Sequence, residues 1–346
     1  MFDYHQWEDG VREAALGKGA IGTTKRGIGP SLSSKANRTG LRICDLYDWD
    51  YFEQKMRTNL ASKEKRFAQR FKYPTYRGAP QGEIDIDAEV ARYKEFAKRL
   101  EPYVVDSVEY MQEAFEQGKK VLVEGANAAM LDIDYGTYPF VTSSSCTIGG
   151  CLTGLGINHT NIGEVVGVVK AYTTRVGEGP FLTECVNSDK SPFFDKENPS
   201  EYHDKVGQHL EKVGHEIGTS TGRTRRCGWL DLVVVRYTAR INGYSALNLT
   251  KLDVLTNVPG GKLKVAVEYK YKGQPQKSFP ESLEKLAQCE VVYEEFDCWS
   301  EDISGCKKFE DLPASAQKYV RRIEEVSGVK VTWIGVGADR AATITK

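Results

Sequence analysis

Short β-branched apolar runs alternate with longer segments of helical period along most of this chain, and that alternation limits the fold more than any other feature. Candidate strands are Glu164–Tyr172, Ser245–Thr250, Leu263–Tyr269, Glu290–Tyr293 and Val329–Ile334, with Lys120–Glu124 as an earlier, short buried one. Helical patterns lie between several of them, notably at Leu230–Asn242 and Ala314–Ser327. Upstream, Asp87 is placed to cap a helix reaching Leu100, with Val90, Tyr93, Phe96, Ala97 and Leu100 on one face. Pro102 then opens a second helix carrying Val104, Val108, Met111 and Phe115, and Gly118 stops it. Such alternation predicts an α/β fold with a mostly parallel central sheet flanked by helices. Residues 17–40, rich in Gly, Ser, Thr, Lys and Arg, read as an ordered loop region, and residues 255–312 as a smaller peripheral lobe. No repeat or low-complexity linker divides the sequence, so residues 1–346 read as one domain.

Charge narrows the function. Basic and acidic residues number 47 and 48, a formal net charge of -1. That balance excludes a general nucleic-acid binder, which carries a basic excess, and makes any anion site local. No apolar stretch approaches the ~20 residues needed to cross a membrane. The opening Met1–Gln6 lacks a basic-then-apolar signal pattern. Eight cysteines form no CxxC pair and have no histidine spaced for zinc, as expected for reduced thiols of a cytoplasmic protein.

In parallel sheets, ligands bind beyond the carboxyl ends of the strands. Glu124–Ala128, Thr173–Gly177, Thr250–Asp253 and Gly335–Gly337 fall at such ends. Thr219–Asp231 carries Arg223, Arg225 and Arg226 among small hydroxylated residues and glycines. Arginine supplies a planar fork for carboxylates and phosphates, and small residues let backbone N–H groups approach an anion. Gly22–Pro30, followed by Lys35 and Arg38, reads either as a phosphate cradle or as a basic loop. Thr142–Ser145 offers hydroxyls to a second phosphate or forms an ordinary cap. An aspartate placed as Asp253 is can accept both guanine N1–H and the exocyclic amine, with Lys251 over the ring; a solvated turn is the plain alternative. The histidines form no catalytic or metal pattern, Asp132 and Asp134 serve structural hydrogen bonds as readily as a metal, and Cys227 reads as a small buried residue.

Taken together and in order, Ile21–Pro30 with Lys35 and Arg38, Val123–Ser144, Lys170–Glu184, Gly214–Asp231, Leu249–Leu255 and Trp333–Arg340 resemble the adenylosuccinate synthetase family, eukaryotic branch. The resemblance runs from about Phe2 to the last residues. It implies a P-loop-NTPase-like ligase fold and a GTP-dependent ligase of purine nucleotide synthesis, which joins IMP to L-aspartate to give adenylosuccinate, GDP and phosphate. By the same resemblance Thr24, Asn127, Thr142 and Arg223 hold IMP, and Arg38 reaches the IMP phosphate of a partner subunit, making a homodimer. Aspartate is held by Thr219, Ser220, Thr221, Gly222, Arg223, Thr224 and Arg225, with Arg26 assisting. GTP meets Arg225, Lys251, Leu252, Asp253, Gly335, Val336 and Gly337. Lys35 stands at the family's signature lysine and is the one catalytic candidate.

The family's first segment has no counterpart in this sequence. That segment carries a phosphate loop of Gly-Asp-Glu-Gly-Lys-Gly-Lys type, a catalytic Asp that also binds magnesium, and a catalytic His. The resemblance therefore implies that the Mg2+ ligands lie outside these residues, that the sheet lacks its first strands, and that the chain alone is inactive until the segment is restored. An IMP-binding, dimerising fragment without catalysis is the alternative. A generic GTP switch is a weaker one, because no Walker-type loop accompanies Lys251 and Asp253.

Overall fold

A computed structural model describes residues 1–17, 21–67, 84–186, 204–218, 222 and 224–346. They cluster into two units, Met1–Leu122 and Val123–Lys346.

The first unit is helical: α1 (Asp3–Leu16), α2 (Ile28–Ala36), α3 (Trp49–Phe67), α4 (Ile86–Leu100) and α5 (Ser107–Glu116). Phe2, Tyr4, Phe52, Met56, Leu60, Val90 and Ala97 form its core. Two predicted helices are present with different starts. Asp85, not Asp87, caps α4, accepting a bond from the Ala88 amide at 2.9 Å. A capping carboxylate must sit on extended backbone just before the first turn. Asp87 is already helical and pairs with Arg57 at 2.6 Å. Likewise α5 begins at Ser107 under an Asp106 cap, while Pro102 lies in a separate 3-10 turn at Glu101–Tyr103. The region read as loop contains α2, entered through Gly27 at φ 79°. A side chain there would collide with the Gln6 amide nitrogen at 2.7 Å, so glycine is required both by conformation and by the close approach of α1.

The second unit holds the predicted sheet. Strands β1 (Val166–Lys170), β2 (Thr173–Arg175), β3 (Arg226–Gly228), β4 (Leu230–Asp231), β5 (Ala246–Thr250), β6 (Lys262–Tyr271), β7 (Gln274–Pro275), β8 (Cys289–Asp297), β9 (Val331–Gly335) and β10 (Thr343–Thr345) follow in chain order. The helices are α6 (Ile148–Leu155), α7 (Lys205–Val213), α8 (Leu232–Asn242), α9 (Leu283–Ala287) and α10 (Ala314–Ser327). The main sheet has the order β1-β5-β9-β10, with β1, β5 and β9 parallel and β10 antiparallel. The register pairs Lys170 with Thr250, and β9 ends at Gly335 alongside, so three parallel strands finish at one edge. The Asp231 carboxylate caps α8 through the Val233 and Val234 amides. Leu247, Leu249, Val320, Ile323 and Ile334 pack between sheet and helices.

Residues 255–312 form an antiparallel ribbon of β6, β7 and β8, and Phe296, Trp299, Ile303 and Phe309 join the same core. Lys120–Glu124 is a correction: it is not a strand, and Leu122 is 94% exposed. An apolar alternation becomes a strand only when a neighbour takes its backbone groups, and among the described residues none does.

Candidate nucleotide and anion site

The predicted guanine-side residues meet at the carboxyl ends of β5 and β9. Immediately after β5 the chain turns through Lys251 at φ 60° into a 3-10 turn, Leu252–Leu255. Gly335 lies against this turn: a Cβ there would be 3.4 Å from the Thr250 Cα and 3.5 Å from the Lys251 nitrogen. Leu252 and Val336 are fully buried in the core, so any contact they make with a ligand runs through backbone. Asp253 carries an open acceptor, since its Oδ1 is buried without a hydrogen-bond partner among the described residues. Burial pushes this carboxyl above the usual range, although hydrogen bonds from its own and the Val254 amide and the charge of Lys251 oppose the rise. A buried acceptor left open suits a ligand that brings N–H donors.

Beside it stands a cluster centred on Glu216, which is fully buried. Its carboxylate accepts from Lys251 Nζ at 2.8 Å, Arg225 Nη1 at 2.7 Å, Lys170 Nζ at 2.9 and 3.0 Å, and the Tyr172 hydroxyl. Burial alone would raise the Glu216 pKa, but the bonds from Lys251, Tyr172, Arg225 and Lys170 outweigh it and hold the group at about 2. Burial also lowers the Lys170 ammonium, against the opposing pull of Glu216. Three cations thus face one carboxylate, leaving local positive charge at the ligand edge of the sheet.

Glu216 also stands at the foot of the arginine loop. The Arg225 amide donates to the Glu216 carbonyl at 2.8 Å, and Ile217 pairs with Thr224 in an antiparallel bridge. Within the loop, Gly222 has φ 64° and its amide donates to the Gly218 carbonyl. Thr219, Ser220, Thr221 and Arg223 lie outside the described residues.

The three arginines do not share one role. Arg226 is 3% exposed and grips Glu184 through two parallel bonds of 2.6 and 2.7 Å. Its remaining amine donates to the carbonyls of Gly177 and Gly179. It braces the fold from within, and the sequence reading of a three-arginine anion grip is corrected to that extent.

Thr142 lies in a segment tied together by Asp132, whose carboxylate accepts from the amides of Asp134, Tyr135 and Cys146. Burial raises the Asp132 pKa, but those amide bonds prevail and lower it. The Thr142 hydroxyl donates to the Leu131 carbonyl at 3.1 Å, and Asn127 is exposed.

In the helical unit, Thr24, Arg26, Lys35 and Arg38 are all exposed. The loop that bears Thr24 does not offer all its amides to a ligand. Glu13 accepts from Gly22 and Thr23, and Asp9 accepts from Gly27 at 2.9 Å. Two carboxylates therefore shape the loop from beneath. Among the described residues, no three His, Cys, Asp or Glu side chains converge.

Sequence reasoning missed Glu216, Lys170 and Tyr172. Glu216 lies inside a segment noticed for its arginines, but only the fold brings the two distant lysines to it.

A mostly parallel sheet flanked by helices, with polar residues gathered at the carboxyl ends of its strands, defines an α/β protein whose fold offers a ligand site there. The adenylosuccinate synthetase family model matches residues 1–344. Adenylosuccinate synthetase of Dictyostelium discoideum is 49% identical over 350 aligned positions, covering 100% of this chain and 75% of the relative. That of Mycosarcoma maydis is 50% identical, with 99% and 71% covered. A solved structure of the fully ligated enzyme from Plasmodium falciparum superposes with a TM-score of 0.87 at 41% identity, covering 100% of this chain and 76% of the other. The chain belongs to the adenylosuccinate synthetase family.

Proposed function

We propose that this protein carries the family's reaction, the GTP-dependent ligation of IMP and L-aspartate to adenylosuccinate in purine nucleotide synthesis. Identity near 49% spread over the entire chain supports the enzyme over a non-catalytic relative, and family membership displaces a generic GTP switch.

The observation that carries the nucleotide assignment is the open, buried Oδ1 of Asp253 beside Lys251 and Gly335. Guanine presents two adjacent N–H donors to such an acceptor; adenine presents none in that arrangement. Lys251 lies over the base, and the backbones of Leu252, Gly335, Val336 and Gly337 close the pocket. Arg225 serves both GTP and the carboxylates of aspartate, which the residues Thr219–Arg225 bind with help from Arg26. Thr24, Asn127, Thr142 and Arg223 hold IMP. Arg38 reaches the IMP of a second copy, which makes the working unit a homodimer. Lys35 is the catalytic candidate in this sequence. In the proposed reaction, GTP phosphorylates the IMP 6-oxygen and the aspartate amine displaces that phosphate. Magnesium would supply counter-charge to the phosphates. A cytoplasmic location fits eight cysteines with no disulfide.

Purified from its own cells, the protein is expected to form adenylosuccinate only when IMP, GTP and aspartate are all present. Equal turnover with ATP in place of GTP would overturn the reading.

A further inference from the structure

We infer that Glu216 is a positioning residue that ties the guanine-side lysine to the arginine loop, so that one buried carboxylate sets the geometry of two ligand sites. The inference rests on the reading of Lys251 and Arg225 as GTP contacts. Lys251 and Arg225 come from different elements of the chain, and each side chain is partly exposed. Long cationic side chains lose rotamer freedom when a ligand fixes them, and that loss weakens binding. Here the loss is taken on folding. Lys251 Nζ is held at 2.8 Å by Glu216 and at 2.6 Å by the Gly214 carbonyl, while Arg225 Nη1 is held at 2.7 Å.

The carboxylate itself is fixed. Tyr172 donates to Oε1, and Lys170 spans both oxygens at 3.0 and 2.9 Å. The backbone of Glu216 repeats the arrangement by accepting the Arg225 amide. An amide side chain could not replace it, because its NH2 would face cations on the side now occupied by an oxygen. Lys170 acts as a further counter-charge that keeps Glu216 in place while the carboxylate holds Lys251 and Arg225.

Calorimetry with GTP and with IMP tests this on the wild-type protein, Glu216→Gln and Tyr172→Phe. Glu216→Gln is expected to weaken GTP binding by about tenfold or more, the scale of a lost charge-assisted hydrogen bond. Tyr172→Phe, which keeps the buried ring and removes one anchor of the carboxylate, should weaken it about threefold. IMP affinity should stay within about twofold in both, because a positioning loss is confined to the ligands that Lys251 and Arg225 meet, whereas general loosening weakens IMP binding as well. If Glu216→Gln does not fold, Tyr172→Phe decides by the same criterion. Unchanged GTP binding in the folded variants, or parallel weakening of GTP and IMP, overturns the inference alone. A wild-type protein that binds IMP but no GTP overturns the guanine reading and this inference with it.

Discussion

Arg225 and Arg226 are neighbours with the same chemistry, yet their removal should have opposite consequences. Arg226→Met leaves Glu184, itself nearly fully buried, without its bidentate partner, and strips a donor from the Gly177 and Gly179 carbonyls. Losing the bidentate partner of a buried carboxylate costs about 3–5 kcal/mol, because the charge stays desolvated after that pairing is gone. Against a total stability of ~5–15 kcal/mol, that is a large fraction. It corresponds to a fall in Tm on the order of 10 °C for a domain of this size. Arg225→Met removes one of three cations from Glu216 and leaves Lys170 and Lys251 in place. Its side chain is 26% exposed, so the cost should be about 1 kcal/mol or less. Urea unfolding followed by tryptophan fluorescence measures both, and calorimetry with GTP supplies the second axis. The expected pattern is a fragile Arg226→Met protein and a stable Arg225→Met protein with weakened GTP binding. Equal stability losses, or an Arg226→Met variant within about 1 kcal/mol of wild type, would refute the division of roles.

Asp253→Asn should weaken GTP binding by about tenfold or more and improve binding of XTP, whose 2-oxygen accepts from the new amide, as competition calorimetry would show. Gly27→Ala should destabilise the helical unit by about 2 kcal/mol or more, combining a left-handed backbone with a 2.7 Å approach to the Gln6 nitrogen; thermal unfolding reads the loss. His5 is buried and its pKa lowered from 6.5 to about 3, chiefly by desolvation, with Lys63 and the amino terminus adding to it. Its folded state therefore binds fewer protons than the unfolded chain, and stability is lost as pH falls from about 6.5 toward 3. Glu89, raised to about 6 by burial, contributes with the opposite sign between 4.5 and 6. Urea titrations across this range should show the His5 contribution to the acid slope missing in His5→Gln.

How far the sequence reaches is clear from the same residues. Parallel strands β1, β5 and β9 were legible because buried strands are short, largely apolar and bounded by turn residues. The Ala314–Ser327 helix was legible to the residue through its apolar period and the glycine behind it. Lys120–Glu124 carried the same local signal and formed no strand, because pairing depends on what lies beside it. The arginine loop announced itself by charge density, but nothing local separates Arg225 from Arg226. That distinction is made by Glu216 and Glu184, 9 and 42 residues away. Aspartates near a helix start are also locally ambiguous: Asp85 and Asp87 differ only in where the first turn closes.

Lys251 occupies the left-handed backbone region, where a side chain is under strain and glycine would be at ease. Replacing it by glycine would relax the turn after β5 and at the same time remove one of the three cations that hold Glu216. Backbone ease and the pairing of a buried carboxylate therefore pull this position in contrary directions.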